Sequence, residues 1–239
     1  MRAARALVMA VCVAAFVMLI ASGPGTRLGL WPWETGLSLV KWAAYTGMCG
    51  AVGAVILIVL LVVPKWRVRS WIPVAALVFA VIAFVPPILL LKEAKALPYI
   101  HDVTTDPFDP PVFVSLMPMR KTVPNGADYG GIEIAKQQQK AYPDIKSLVV
   151  KSSPADTMQK AIDAARSMGW EIVASDAPAG RIEATDTTTW FGFKDDIIVR
   201  VRPEASGGSR VDVRSVSRLG ESDVGANAKR VRKYLAKLA

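Results

Sequence analysis

Asp195 and Asp196 stand side by side just before the apolar residues Ile197, Ile198 and Val199, and neighbouring carboxylates raise the question of acid/base chemistry. In an extended strand adjacent residues point to opposite faces. The two therefore cannot form the facing pair that a general acid and a general base require. One is placed to end the preceding turn, and the other to pair with an arginine such as Arg214 or Arg218. A hydrolase-like reading keeps either aspartate as base and either arginine as clamp on an anionic substrate.

Ser222-Asp223-x-Gly225-x-Asn227 opens the last helical stretch. Capping explains Ser222 and Asp223. The alternative is a phosphate or carboxylate pocket, with Asn227 at the helix N-terminus and Arg218 nearby. Trp190-Phe191-Gly192-Phe193 occupies a turn where polar residues are usual. It reads as a core plug, a hydrophobic lip for a lipid, or an anchor dipping into a bilayer interface. Asp102, Asp106 and Asp109 lack the turn glycine and closing Glu of a calcium loop, so aspartate turns beside proline are expected instead. His101 is the only histidine, and Cys12 and Cys49 both lie in apolar runs. A histidine-rich metal site and a disulfide framework are thereby excluded. No metal and no cofactor are expected.

The elements that must position these residues divide the 239-residue chain sharply. Hydrophobic residues make up 52% of it, and of its 20 acidic residues only Glu34 precedes residue 92. Such a distribution excludes a uniformly soluble globule and a disordered chain. Ala6–Ala21, Trp42–Val63 and Ile72–Leu91 are uncharged runs that qualify as membrane spans. The first is short enough to be a signal peptide, but Pro24 after Gly23 makes a poor cleavage junction, so an uncleaved anchor is expected. Arg2 and Arg5, with Lys65, Arg67 and Arg69, place the N-terminus and the second loop in the cytoplasm, and residues 92–239 outside. Trp31, Trp33, Trp42, Trp66 and Trp71 suit interfacial anchoring. Gly47, Ala51 and Ala54 form a small-residue stripe that suits packing within the bundle or a homodimer. Pro86 and Pro87 are expected to kink the third span. No span carries an ionisable residue, which argues against a transporter.

Residues 98–144 are proline-rich and read as an extended segment that wraps over the domain, with a short helix near Ile132–Ala141. From Ile145 the periodicity gives strand, helix, four strands and a helix. The fold class is thus α+β: three transmembrane helices followed by a two-layer β-α-β-β-β-β-α domain with a mainly antiparallel sheet. The expected divisions are 1–97, 98–144 and 145–239. Ile182, Ala184, Ile197, Val199, Val201, Val211 and Val213 should face the helices. Glu183, Arg200, Arg202, Arg210, Asp212 and Arg214 should face away, forming a solvated charged surface or a surface for an anionic ligand.

Phe193-Lys194-Asp195-Asp196, Val199-Arg200-Val201, Asp212 to Arg218 and Ser222-Asp223-x-Gly225-x-Asn227 together resemble the bacterial domain of unknown function 1499. So do Tyr99 to Asp106 and Ala141-Tyr142-Pro143-Asp144. The resemblance covers about residues 98–239 and implies a membrane-anchored exported domain of Gram-negative bacteria, with relatives in plastids. It brings no known activity and no functional residues. The expected function is therefore a bacterial inner-membrane protein presenting a periplasmic interaction or envelope-assembly module. A lipid or small apolar-ligand binder is the alternative. The partners are membrane lipids and another envelope protein. The basic residues Lys229, Arg230, Arg232, Lys233 and Lys237 suit lipid head groups outside the membrane, and no nucleic acid is expected there.

Overall fold

The computed structural model describes residues 2–60 and 71–239. The chain divides into two compact units, Met1–Glu93 with Thr189–Gly192, and Ala94–Thr188 with Phe193–Ala239. The first contains helices α1 (Arg2–Arg27), α2 (Trp33–Leu60) and most of α3 (Ile72–Ala96), each long and apolar enough to cross a membrane. α1 continues through Pro24, and α3 runs on as helix through Pro86 and Pro87, the two residues expected to kink it.

Small residues set how closely these helices approach. A Cβ on Gly50 would lie 2.6 Å from Cys12 Sγ, and one on Gly47 would lie 3.1 Å from both Ala80 O and Ala83 Cβ. Ala54 is buried with Cys12, Ala76 and Ala80, and Ala51 packs against that cluster. The stripe Gly47, Ala51, Ala54 is thus taken up inside the bundle, as close helix packing requires. The orientation reading rests partly on Lys65, Arg67 and Arg69, which lie outside the described residues, as does Trp66.

In the second unit, β1 (Asp102–Thr104), α4 (Met117–Arg120) and α5 (Gly131–Ala141) precede β2 (Leu148–Val150) and α6 (Pro154–Ser167). The strands β3 (Glu171–Asp176), β4 (Arg181–Thr187), β5 (Lys194–Pro203) and β6 (Ser209–Ser217) follow, then α7 (Ala226–Leu235). The sheet order is β1-β6-β5-β4-β3, with β2 also on β6, and every pairing is antiparallel. β1 and β2 share one edge of β6, opposite Arg214–Val216 and Ser209–Val211 respectively.

The local causes are readable. Ser153 Oγ accepts from Asp156 N at 3.2 Å and Pro154 begins α6, so an orphan donor is satisfied and a proline sits where it costs nothing. Gly169 at φ 78 follows that helix. The alternating residues Ile182, Ala184, Ile197, Val199, Val201, Val211 and Val213 are buried with Met158, Ala161, Val231 and Tyr234 on the helix side, as the period of two dictates. Trp170 stacks on Tyr234 at 4.8 Å within this core.

The other face of the sheet departs from expectation. Glu183, Asp212 and Arg214 are buried, not solvated. Residues 105–127 cross over them as a strap whose Phe113 and Leu116 pack on Ile198 and Val216. The proline-rich stretch belongs to the same compact unit as the sheet and supplies β1 to it. Alternation in sequence assigns a face to each residue; it does not reveal what covers that face.

Candidate functional site

Two polar layers flank the sheet, and most of the residues singled out by type and spacing lie in them. Beneath the strap, Asp196 of β5 and Arg120 of α4 are both fully buried and 2.9 Å apart. Arg218 reaches the same carboxylate at 2.7 Å, and the Thr185 hydroxyl donates to it at 2.8 Å. Arg120 also donates to the carbonyls of Asn125, Gly126 and Val216 at 2.7 to 3.2 Å. Burial pushes its guanidinium down from the usual arginine range, with Asp196 opposing.

Arg214 pairs instead with Asp102, through Nε at 3.0 Å and Nη2 at 2.7 Å. Its guanidinium lies 5.6 Å from the Phe113 ring centre and 5.4 Å from that of Tyr129. Burial, and then Asp102, push the Tyr129 phenol up to about 12. The Glu183 carboxylate accepts from the backbone N–H groups of Val114, Ser115 and Leu116 at 2.8 to 3.0 Å, so it anchors the strap by its main chain. Asp212 meets Arg200, Arg202, Arg210 and the Ser147 hydroxyl. Burial alone would raise the Asp212 carboxyl, but Ser147 and the arginines outweigh it and hold it below the ordinary range.

Asp195 points to the helix side, where Arg230 Nη2 lies 2.5 Å from it. Arg230 also meets Asp186 at 2.7 Å and donates to Ser215 Oγ and Asn227 Oδ1. Asn227 is fully buried and donates through its amide to Ser217 Oγ and the His101 carbonyl. The two aspartates thus serve opposite faces, each against arginine. A charge of either sign left alone in such a place is costly, and these pairs remove that cost for each other.

The anion pocket at the start of α7 is not there. Gly225 at φ 76 and Val224 at φ 52 delay the helix to Ala226. Asp223 accepts from the Gly225 and Asn227 N–H groups at 2.8 Å each, so its own carboxylate takes the place an anion would fill. Burial pushes Asp223 up from the ordinary carboxylate range, with those two N–H groups opposing. Ser222 Oγ accepts from Val224 N at 3.3 Å.

The aspartates that loosely suggested calcium are arginine partners: Asp102 of Arg214, Asp106 of Arg210, Asp109 of Arg202. His101 Nδ1 lies 3.3 Å from the Glu221 carbonyl. Among the described residues, no cluster of metal-ligating side chains occurs.

Trp190 and Phe191 stand outside the core of the sheet unit and group with the helical one. A Cβ on Gly23 would fall within 2.0 Å of the Trp190 ring, and one on Gly36 would be 3.0 Å from Phe191. Arg27 donates to the Thr189 carbonyl. Phe193 closes the turn through two bonds with Thr188 and leads into β5. The turn is therefore not a plug for the sheet core.

Sequence reasoning missed Arg120 and Arg230 as partners. Arg120 sits in an aperiodic stretch, and nothing there marked it. Arg230 lay among exposed lysines, but its position one turn after Asn227 on the buried side of an amphipathic helix was a usable signal.

A family model described as "Protein of unknown function (DUF1499)" matches residues 102–238. The match begins at β1 and includes the strap, so the strap is part of the family's domain and not a linker to it. No curated protein matches the chain.

Proposed function

The chain belongs to the DUF1499 family, and we propose that it is a non-catalytic protein of the bacterial inner membrane whose α+β domain acts by binding another envelope component on the periplasmic side. The observation that carries this reading is the disposition of its carboxylates. Asp102, Asp106, Asp195, Asp196 and Asp212 each lie against at least one arginine, and Asp223 caps a helix. A general base needs a carboxylate that can take up a proton from substrate, and carboxylates held by guanidinium groups are poor at it. Asp102, Asp106, Asp196 and Asp212 are better understood as part of the frame that holds the strap on the sheet, and Asp195 as a tie to α7 on the other face.

The strap turns four of its large apolar residues outward. Phe108, Val112, Val114 and Met119 are all exposed, alternating with the buried Phe113 and Leu116. A row of this kind on an anchored segment suits contact with a protein partner. A photo-reactive residue at Val114 of the full chain in its native membrane should give a discrete adduct with a protein. A smear shared with the same probe at Lys151, or adducts with lipid alone, would count against an assembly role. The lipid or apolar-ligand reading draws its support from Trp190, which stays 43% exposed beside Gly23.

A further inference from the structure

Thr104 and Val149 hold equivalent places on one edge of the sheet. β1 and β2 lie end to end along β6. Thr105 N donates to the Val213 carbonyl at 2.9 Å and Ser217 N to that of His101 at 3.0 Å, so the odd-numbered residues of β6 turn their main chain toward this edge. In an antiparallel pair the residues opposite them bond, and the alternate ones point away. Thr104, opposite Arg214, and Val149, opposite Arg210, therefore direct their N–H and C=O groups out of the sheet.

The two outward positions are finished differently. Gln138 of α5 closes Thr104: its Oε1 accepts from Thr104 N at 2.9 Å and its Nε2 donates to the Thr104 carbonyl at 2.7 Å, the pair of bonds a further strand would make. Val149 has no such cover. Neither its N–H nor its carbonyl has a partner among the described residues, and the residue is 54% exposed. The far edge of the sheet is blunted in another way, since the β3–β4 register shifts between Ile172 and Ala174, as at a bulge. Open backbone groups on an edge are a template for another chain.

A cleft of about 350 Å³ lies against the open position. Val149 lines it together with Ile145, Pro143, Pro107 and Phe108, the most exposed apolar residue of the strap. The charged residues lining it, Asp106, Lys146, Glu204 and Arg210, are two acids and two bases, and Asp106 already pairs with Arg210 at 2.7 Å. With no surplus of either sign, the cleft favours an uncharged apolar side chain. An extended polypeptide offers such side chains at every second position, with a donor and an acceptor between them.

We propose that the partner protein docks by laying an extended segment of its chain along β2, its main chain bonding to Val149 and an apolar side chain entering the cleft beside Phe108. This rests on the reading of the domain as a protein-binding module and names the form in which the partner binds.

The test places a photo-reactive phenylalanine derivative at Phe108, and separately at Val114, of the full chain in its native membrane. Each probe is combined with Val149→Pro or Val149→Thr. Proline removes the outward N–H and puts its ring where the incoming chain must lie, yet breaks no bond to β6, a place where strands tolerate it. Threonine keeps the N–H. Losing one hydrogen bond and meeting that obstruction, the discrete protein adduct at Phe108 should fall at least about tenfold in Val149→Pro. It should stay at the parent level in Val149→Thr, and β5 amide protection should be unchanged in both, which separates a lost contact from a lost fold. A second measurement needs no variant: the Val149 amide should exchange more slowly in the purified Phe108 adduct than in the unlinked chain. Equal adduct yields in the two variants, or equal Val149 exchange with and without the adduct, would overturn strand addition while the Val114 adduct still upheld a protein partner. Absence of any protein adduct at both positions in the parent would overturn both readings. An adduct made only with a second copy of this chain would overturn the proposal by seating that copy on the edge.

Discussion

Replacing Arg120 by alanine isolates the contribution of the strap. The side chain is fully buried, reaches Asp196 at 2.9 Å and donates to three backbone carbonyls at 3.2 Å or less. Removing one partner of a buried ion pair costs about 3–5 kcal/mol, most of it for the charge left behind. Here Asp196 keeps Arg218 and Thr185, so the anion is not abandoned and the lower end applies. The stranded carbonyls and the cavity keep the total near 3 kcal/mol. Asp196→Ala should cost more, about 5 kcal/mol, because it leaves two guanidinium groups facing each other. Hydrogen exchange of β5 amides in the full chain reads this directly, since core strands exchange through global opening. At tenfold per 1.4 kcal/mol, Arg120→Ala should lower their protection about a hundredfold. A fall of less than about fivefold, or an Asp196 variant milder than the Arg120 one, would refute the view that this pair fastens the strap.

Arg232→Ala breaks the exposed pair with Asp144 and should cost under about 1 kcal/mol by the same readout. Asp223→Ala should cost about 1 kcal/mol and speed exchange in the first turn of α7, whereas Asp223→Asn should stay near the parent because it can still cap. Asp212 has a folded-state value below its unfolded one, so its stabilisation is complete above about pH 4 and is lost as pH falls through the depressed value. The stability gap between parent and Asp212→Asn should accordingly be constant near neutrality and close on acidification; a gap that widens in acid would contradict the sign. Trp190→Ser with Phe191→Ser should leave β5 protection unchanged, because neither side chain belongs to the sheet core; a large loss would make them a plug after all.

Much of this architecture is legible in the residues. Uncharged runs mark the three long helices, and period-two alternation in Arg181–Thr187 and Ser209–Ser217 fixes which side chains meet α6 and α7. That Asp195 and Asp196 serve opposite faces also follows from the pleat alone. That residues 98–144 wrap over the domain is legible in their prolines, but which face they cover is not, because Pro107, Pro110, Pro111 and Pro118 impose an aperiodic path with no repeating apolar face. Its buried charges then look like surface: Glu183 and Asp212 have the sequence pattern of solvated residues, and the Val114–Leu116 N–H groups for the one, with Arg200, Arg202, Arg210 and Ser147 for the other, make their burial tolerable. The start of α7 misled for a related reason. Ser222-Asp223 has the pattern of a cap, which it is, but the same pattern also suits an anion site. Only the two bonds that the Gly225 and Asn227 N–H groups donate to Asp223 Oδ1 and Oδ2 decide between them.

The proposed function places a binding domain on the outer side of the bacterial inner membrane. Alkaline phosphatase folds to an active enzyme only outside the cytoplasm, where its disulfides form, and a fusion at Ala239 tests the claim most directly. The account predicts an active phosphatase at Ala239 and a dark cytoplasmic fluorescent protein at the same position. An inactive phosphatase with a bright fluorescent fusion would contradict it, and would place the basic face of α7 where nucleic acid is within reach.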